Sequence, residues 1–122
     1  MLSVRSRCPV DYRLCNQTVT VYHRSGETYS RKIINNAFFD FKKNESIDRT
    51  GSSEVNSFLL IVPCSEQSVF VGDKILLGEG KPIDTPEAWS AFIPSKVAGL
   101  CVVKNVDPKY WGGRMVHVEA GG

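Results

Sequence analysis

Val69-Phe-Val-Gly-Asp-Lys-Ile-Leu-Leu-Gly-Glu-Gly80, Val97-Ala-Gly-Leu-Cys-Val-Val-Lys-Asn-Val106 and Arg114-Met-Val-His-Val-Glu119 decide the fold class. Each is a short apolar run cut by Gly, Asp, Asn or Pro, which is how the strands of a small β-barrel or sandwich are written. The last two are joined by Asp107-Pro-Lys-Tyr-Trp-Gly-Gly113, read as the turn of a hairpin. Asp-Pro initiates a turn and a Gly pair takes positive φ at little cost. Tyr110 and Trp111 then sit at the tip, either as a contact patch or folded back on the barrel end.

Outward from there, Thr18-Val-Thr-Val-Tyr-His-Arg24 alternates, with Val19, Val21 and His23 on one face and Thr18, Thr20 and Tyr22 on the other. Its β-branched and aromatic content predicts a strand, and Ser25-Gly-Glu-Thr28 predicts a hairpin turn after it. Residues 29–41 continue as a longer strand, with Ile33, Ala37, Phe39 and Phe41 in one phase and Ile34 and Phe38 in the other. Asn35-Asn36 predicts a bend in its middle. Ser57-Phe-Leu-Leu-Ile-Val-Pro63 is too short and too β-branched for a helix and predicts a central strand covered on both sides. Asp84-Thr-Pro-Glu-Ala-Trp89 is the helix signal: Asp84 or Thr85 caps it, Pro86 takes the first position and Glu87 complements the dipole. Pro94 limits it to two turns.

Residues 42–56, Lys-Lys-Asn-Glu-Ser-Ile-Asp-Arg-Thr-Gly-Ser-Ser-Glu-Val-Asn, are polar and of mixed charge, with only Ile47 and Val55 to anchor them. They read as a long polar loop, a type of segment that is often functional. Residues 1–16, broken by Pro9 and Asp11, read as a flexible arm. The expectation is an all-β protein: a small antiparallel barrel or sandwich of five or six strands over residues 17–122, with at most one short helix. A chain of 122 residues is long enough for one independent core.

Composition narrows the function. Apolar residues at 42% and charged residues at 23% belong to a globular domain. The net charge of +2, from 15 basic and 13 acidic side chains, lacks the concentrated surplus of a phosphate-binding module. Arg5/Arg7 and Lys42/Lys43 lie in mixed surroundings and read as solvated surface. No apolar run reaches the roughly 18 residues of a membrane span, and no apolar stretch follows the early arginines, so no secretion signal and a cytoplasmic origin are expected.

Cys8, Cys15, Cys64 and Cys101 form no C-x2-C pair and read as structural thiols, neither a zinc site nor a disulfide framework. His23 and His117 belong to no H-x-x-x-H or H-E-x-x-H spacing. There is no G-x-S-x-G elbow and no Walker loop. Carboxylate pairs such as Asp40/Glu45 and Asp48/Glu54 surround the polar segment and read as solvated. The expectation is no enzyme, no cofactor and no metal.

The order of segments resembles a family of long-tailed bacteriophage head–tail connectors of the head-completion, or stopper, type. The residues that carry the likeness are Val19-Thr-Val-Tyr22, Ala37-Phe-Phe-Asp-Phe41, Phe58-Leu-Leu-Ile-Val-Pro63, Phe70-Val-Gly-Asp-Lys-Ile75, Val103-Lys-Asn-Val-Asp-Pro108 and Val116-His-Val-Glu-Ala-Gly-Gly122. The chain is similar in particular to small phage proteins often called minor capsid proteins, although Val118 stands where those often carry an aromatic. The resemblance implies a six- or twelve-fold ring at the head–tail junction of a virion, assembled in the host cytoplasm, between the portal–adaptor complex and the tail terminator or tail tube. It also implies a loop that enters the channel and holds packaged DNA.

In this chain that loop is 42–56, with Lys42, Lys43 and Arg49 toward phosphates and Glu45, Asp48 and Glu54 pairing between subunits. Tyr12 and Leu14 of the arm, with Tyr110 and Trp111, are interface candidates. The alternatives are another virion part, such as a tail terminator or baseplate piece, or a stand-alone β-barrel module binding nucleic acid or protein through Tyr22, Tyr29 and Tyr110.

Overall fold

A computed structural model of the chain describes residues 11–48 and 51–122, with side chains described outside 42–56. A 3-10 turn at Tyr12–Leu14 leads into β1 (Gln17–Ser25), β2 (Thr28–Asp48), β3 (Gly51–Pro63) and β4 (Lys74–Leu77). Then come α1 (Pro86–Ala91), β5 (Cys101–Val102), β6 (Asn105–Trp111) and β7 (Arg114–Gly121). The fold is all-β, with seven strands among the described residues against the five or six expected. The extra one is the two-residue β5.

The strands lie in the order β5-β4-β1-β2-β3-β7-β6, and every pairing is antiparallel. The two ends of that order, β5 and β6, are consecutive in the chain. Val103 exchanges backbone hydrogen bonds with the β4 side (Gly72 N–H to Val103 O and Val103 N–H to Asp73 O, both 2.8 Å), and the Lys104 N–H donates to Gly121 O at 2.9 Å. Residues 103–104 thus carry the sheet round from β4 to β7, giving it a barrel-like curl.

β2 serves both halves of the wall. It pairs with β1 as far as Ala37 and with β3 from Phe38 onward. The predicted bend is a β-bulge: Gln17 opposes Ala37 while Val19 opposes Ile34, so Asn35 and Asn36 together face Thr18. The Thr18 hydroxyl donates to Asn35 Oδ1 at 3.1 Å. One extra residue reverses the phase of everything beyond it. The core therefore takes Ile34, Ala37 and Phe39, not Ile33 with Ala37 as simple alternation gives.

Inward-facing partners assemble the core across strands: Val21 with Ile75 and Cys101, Leu60 with Ala120, Val62 with Val118. β1 is buried on both faces, because the segment around α1 covers Thr20 and Tyr22. The Thr20 hydroxyl donates to Gly78 O and the Tyr22 hydroxyl to Lys81 O at 2.8 Å. β3 differs from its expectation: its outer face is only partly covered, and Leu59 keeps 39% exposure. Helix α1 starts as read, with Thr85 Oγ1 accepting the Ala88 N–H at 3.1 Å and Pro86 in the first turn.

Two loop expectations are corrected. Residues 42–48 and 51–56 are not loop; they extend β2 and β3 as a paired ribbon. The final hairpin turns on Gly112-Gly113 alone, at φ 62° and 79°, the positive values of a two-residue type I′ turn. Residues 107–111 belong to β6. Pro108 fits there because, among the described residues, β6 pairs only with β7 and its other edge needs no N–H.

Candidate functional site

The ribbon is the most distinctive surface. Among the described residues, from Lys42 paired with Ser57 to Asp48 paired with Gly51, β2 and β3 pair only with each other. β1 stops at Ala37 and β7 begins its pairing with β3 at Leu59. An isolated two-stranded ladder is marginally stable at best in water. The backbones of Lys42, Lys43, Glu45, Asp48 and Glu54 lie in this ribbon, while their side chains, and Arg49 altogether, lie outside the described residues. The register makes Glu45 the direct partner of Glu54.

The 3-10 turn lies on the outer face of the barrel. The Tyr12 hydroxyl is 2.6 Å from His117 Nδ1, and His117 Nε2 is 2.9 Å from Glu119 Oε2. His117 is 5% exposed. Tyr12 is therefore engaged within its own chain, while Leu14 is left 70% exposed beside a recess lined by Phe38, Ile61 and Cys15. Burial pushes the Cys15 thiol up.

At the end of β1, His23 Nδ1 meets Asp73 Oδ1 at 2.6 Å. Asp73 is buried and its second oxygen accepts the Phe70 N–H at 2.9 Å. Both carboxylate oxygens are thus committed to holding the Gly-Asp turn against the barrel. Sequence spacing gave no sign of the His23–Asp73 or Tyr12–His117 contacts, whose partners are 50 and 105 residues apart, whereas His117 and Glu119 share a face of β7 by simple alternation.

Lys74, next in the chain, is also buried. Its Nζ donates to Trp89 O at 2.7 Å and Phe92 O at 2.6 Å and lies 4.3 Å from the Trp89 ring centroid. It closes the C-terminal end of α1 and fixes the helix to β4, and burial lowers its pKa. Cys101, at 0% exposure, has its thiol pushed up to about 12 by burial. Cys15, Cys64 and Cys101 are free thiols, and Cys8 lies outside the described residues. Among the described residues no three His, Cys, Asp or Glu side chains gather as a metal site.

The tip of the β6–β7 hairpin carries Tyr110 at 63% and Trp111 at 41% exposure. At that exposure Tyr110 is not folded back as a plug on the barrel end. No curated protein and no solved structure matches the chain. Residues 14–122 match a family model, from the edge of the 3-10 turn to the C-terminal glycines, and the chain belongs to that family of unknown function, DUF6751.

Proposed function

We propose that the chain is a structural, non-catalytic virion protein of a long-tailed bacteriophage: a head–tail connector of the stopper type. It forms a six- or twelve-fold ring between the portal–adaptor complex and the tail and retains packaged DNA. The observation that supports this most directly is the ribbon. A curled β-wall supplies a rigid subunit body, and an isolated β2–β3 extension supplies a projection able to reach a channel.

The near-neutral charge favours repetition around a ring, where a strongly basic subunit would multiply its own repulsion. The polar ribbon sequence suits a wet channel better than a buried contact.

Immunogold electron microscopy of phage particles, with an antibody to this chain, tests the location. Label at the head–tail junction is expected; label at the distal tail, or on no particle, defeats the reading. Deleting residues 44–54 tests the role. Heads are expected to assemble and fill but leak DNA, and full retention would remove the ribbon from channel closure.

A further inference from the structure

The outer face of β1 carries a site that the barrel core does not use. Between α1 and the outer face of β1 and β4 runs an open groove of about 400 Å³, within the range of about 300–1,000 Å³ that takes a small organic molecule. Tyr22, Leu76, Ile83, Phe92 and the exposed Ala88 and Ala91 give it apolar walls, and Lys81 is its one charged lining residue.

The walls are set by the fold. The Lys74 ammonium ties the end of α1 to β4 through Trp89 O and Phe92 O. The Tyr22 and Phe92 rings meet edge to face, with centroids 4.7 Å apart. The chain crosses the Tyr22 hydroxyl at Gly80, where any side chain would collide with it, and the hydroxyl donates to Lys81 O at 2.8 Å. A groove shaped before its ligand arrives spends little ordering entropy on binding.

The charge around the lining has one sign. Arg31 is the cross-strand partner of Tyr22 and its guanidinium donates to Gly80 O. Arg31 and Lys81 thus stand together where the chain passes Tyr22. Lys74, 7% exposed, holds its ammonium 5.9 Å from the ring centroid of Phe92, a lining residue. Among the described residues none of these three cations has a carboxylate within ion-pair distance. Asp84 and Glu87 adjoin Ile83 and Ala88 in the chain, but they are exposed and do not line the groove. Cations at an apolar, partly covered site are ordinarily matched by an anion. Here the protein gives Lys74 and Arg31 carbonyl oxygens instead.

We propose that the groove binds an aliphatic carboxylate, its hydrocarbon chain against Leu76, Ile83, Phe92 and the two alanines and its carboxylate at Lys81 and Arg31. An alkyl chain suits walls whose one hydroxyl, that of Tyr22, is already bonded. A single anionic head answers two adjoining cations, one of them a guanidinium with the fork geometry that carboxylates match. The site is separate from the ring reading and stands or falls without it.

Octanoate, decanoate and dodecanoate, each below its micelle concentration, are titrated into the full chain and followed by amide chemical shifts. Saturable one-to-one binding is expected, with the shifts centred on the groove residues and each added pair of methylenes tightening it about tenfold. Decylammonium, with decanoate's chain length and the opposite charge, is expected to bind at least about tenfold more weakly. Lys81→Glu, a change at an exposed side chain, is expected to weaken decanoate about tenfold, and Ala88→Trp to abolish its binding by filling the groove.

Equal binding of decylammonium, an unaffected Lys81→Glu variant, a folded Ala88→Trp variant that still binds, or shifts centred elsewhere on the barrel overturns the proposal. So does the absence of saturable decanoate binding, which would leave the groove to a macromolecular partner. Should Ala88→Trp fail to fold, the Lys81→Glu variant and the decylammonium comparison decide the matter.

Discussion

The Tyr12 hydroxyl lies 2.6 Å from Nδ1 of a histidine 105 residues away, His117, whose other nitrogen is 2.9 Å from Glu119. The arrangement is complete when Tyr12 donates to Nδ1 and Nε2–H donates to the carboxylate. Tyr12→Phe keeps the ring-on-ring packing and leaves the buried imidazole nitrogen without its donor. We expect a loss of about 1–3 kcal/mol. Urea unfolding checks it: the midpoint falls and the slope stays. An unchanged midpoint would mean that the 3-10 turn adds nothing to the barrel.

Cys101 gives a defined alkaline signature. Its thiol is pushed up to about 12 in the fold from an ordinary 9.0, so above 9.0 the unfolded chain releases a proton that the folded chain retains. Stability must then fall with rising pH in that window, by at most about 1.4 kcal/mol per pH unit. Lys74 contributes a slope of the opposite sign up to its ordinary 10.5, since burial lowers its pKa. That term is common to wild type and Cys101→Ala. The variant is expected to lose stability less steeply above pH 9.0 in denaturant titrations; equal slopes would contradict the burial of the thiol.

Lys74→Met keeps the length of the side chain and removes the two hydrogen bonds to Trp89 O and Phe92 O. The expected cost is about 1–3 kcal/mol. Because the ammonium lies 4.3 Å from the Trp89 ring centroid, the tryptophan emission is also expected to change in the folded protein. Loss of stability without a spectral change would assign Lys74 a role away from the helix.

How far such elements can be read from residues alone depends on the range of the contacts that make them. β1 and α1 were legible because alternation, a capping threonine and a first-turn proline are local signals. The bend at Asn35-Asn36 was legible, yet its effect on phase was not, since a bulge is defined by the opposing strand. The 42–56 ribbon gave no strand signal because its sequence is polar, with only Ile47 and Val55 apolar, and so carries no apolar period. Asp107-Pro108 looked like a turn because proline is excluded from central strands, and only the order of strands reveals that β6 is an edge. Of the interface candidates read from the sequence, Leu14, Tyr110 and Trp111 are exposed, whereas Tyr12 is hydrogen-bonded to His117.

The register of the ribbon sets Glu45 opposite Glu54. Like charges at directly opposed positions destabilise a strand pair, and opposite charges add about 0.2–1 kcal/mol. Glu45→Lys is expected to slow amide hydrogen exchange across 42–56 while leaving exchange in the barrel unchanged. Faster exchange in the ribbon would point to a different register.

β2 is 21 residues long, a strand of roughly 70 Å if fully extended. It forms part of the barrel wall and, without interruption, one side of the ribbon. A force drawn along the ribbon axis therefore runs into the strand that both halves of the wall share. Its ladders to β1 and β3 are loaded in shear, where many hydrogen bonds resist together, instead of being unzipped one at a time. The ribbon is thus mechanically continuous with the wall, and a pull along it is shared by the ladders on both sides of β2.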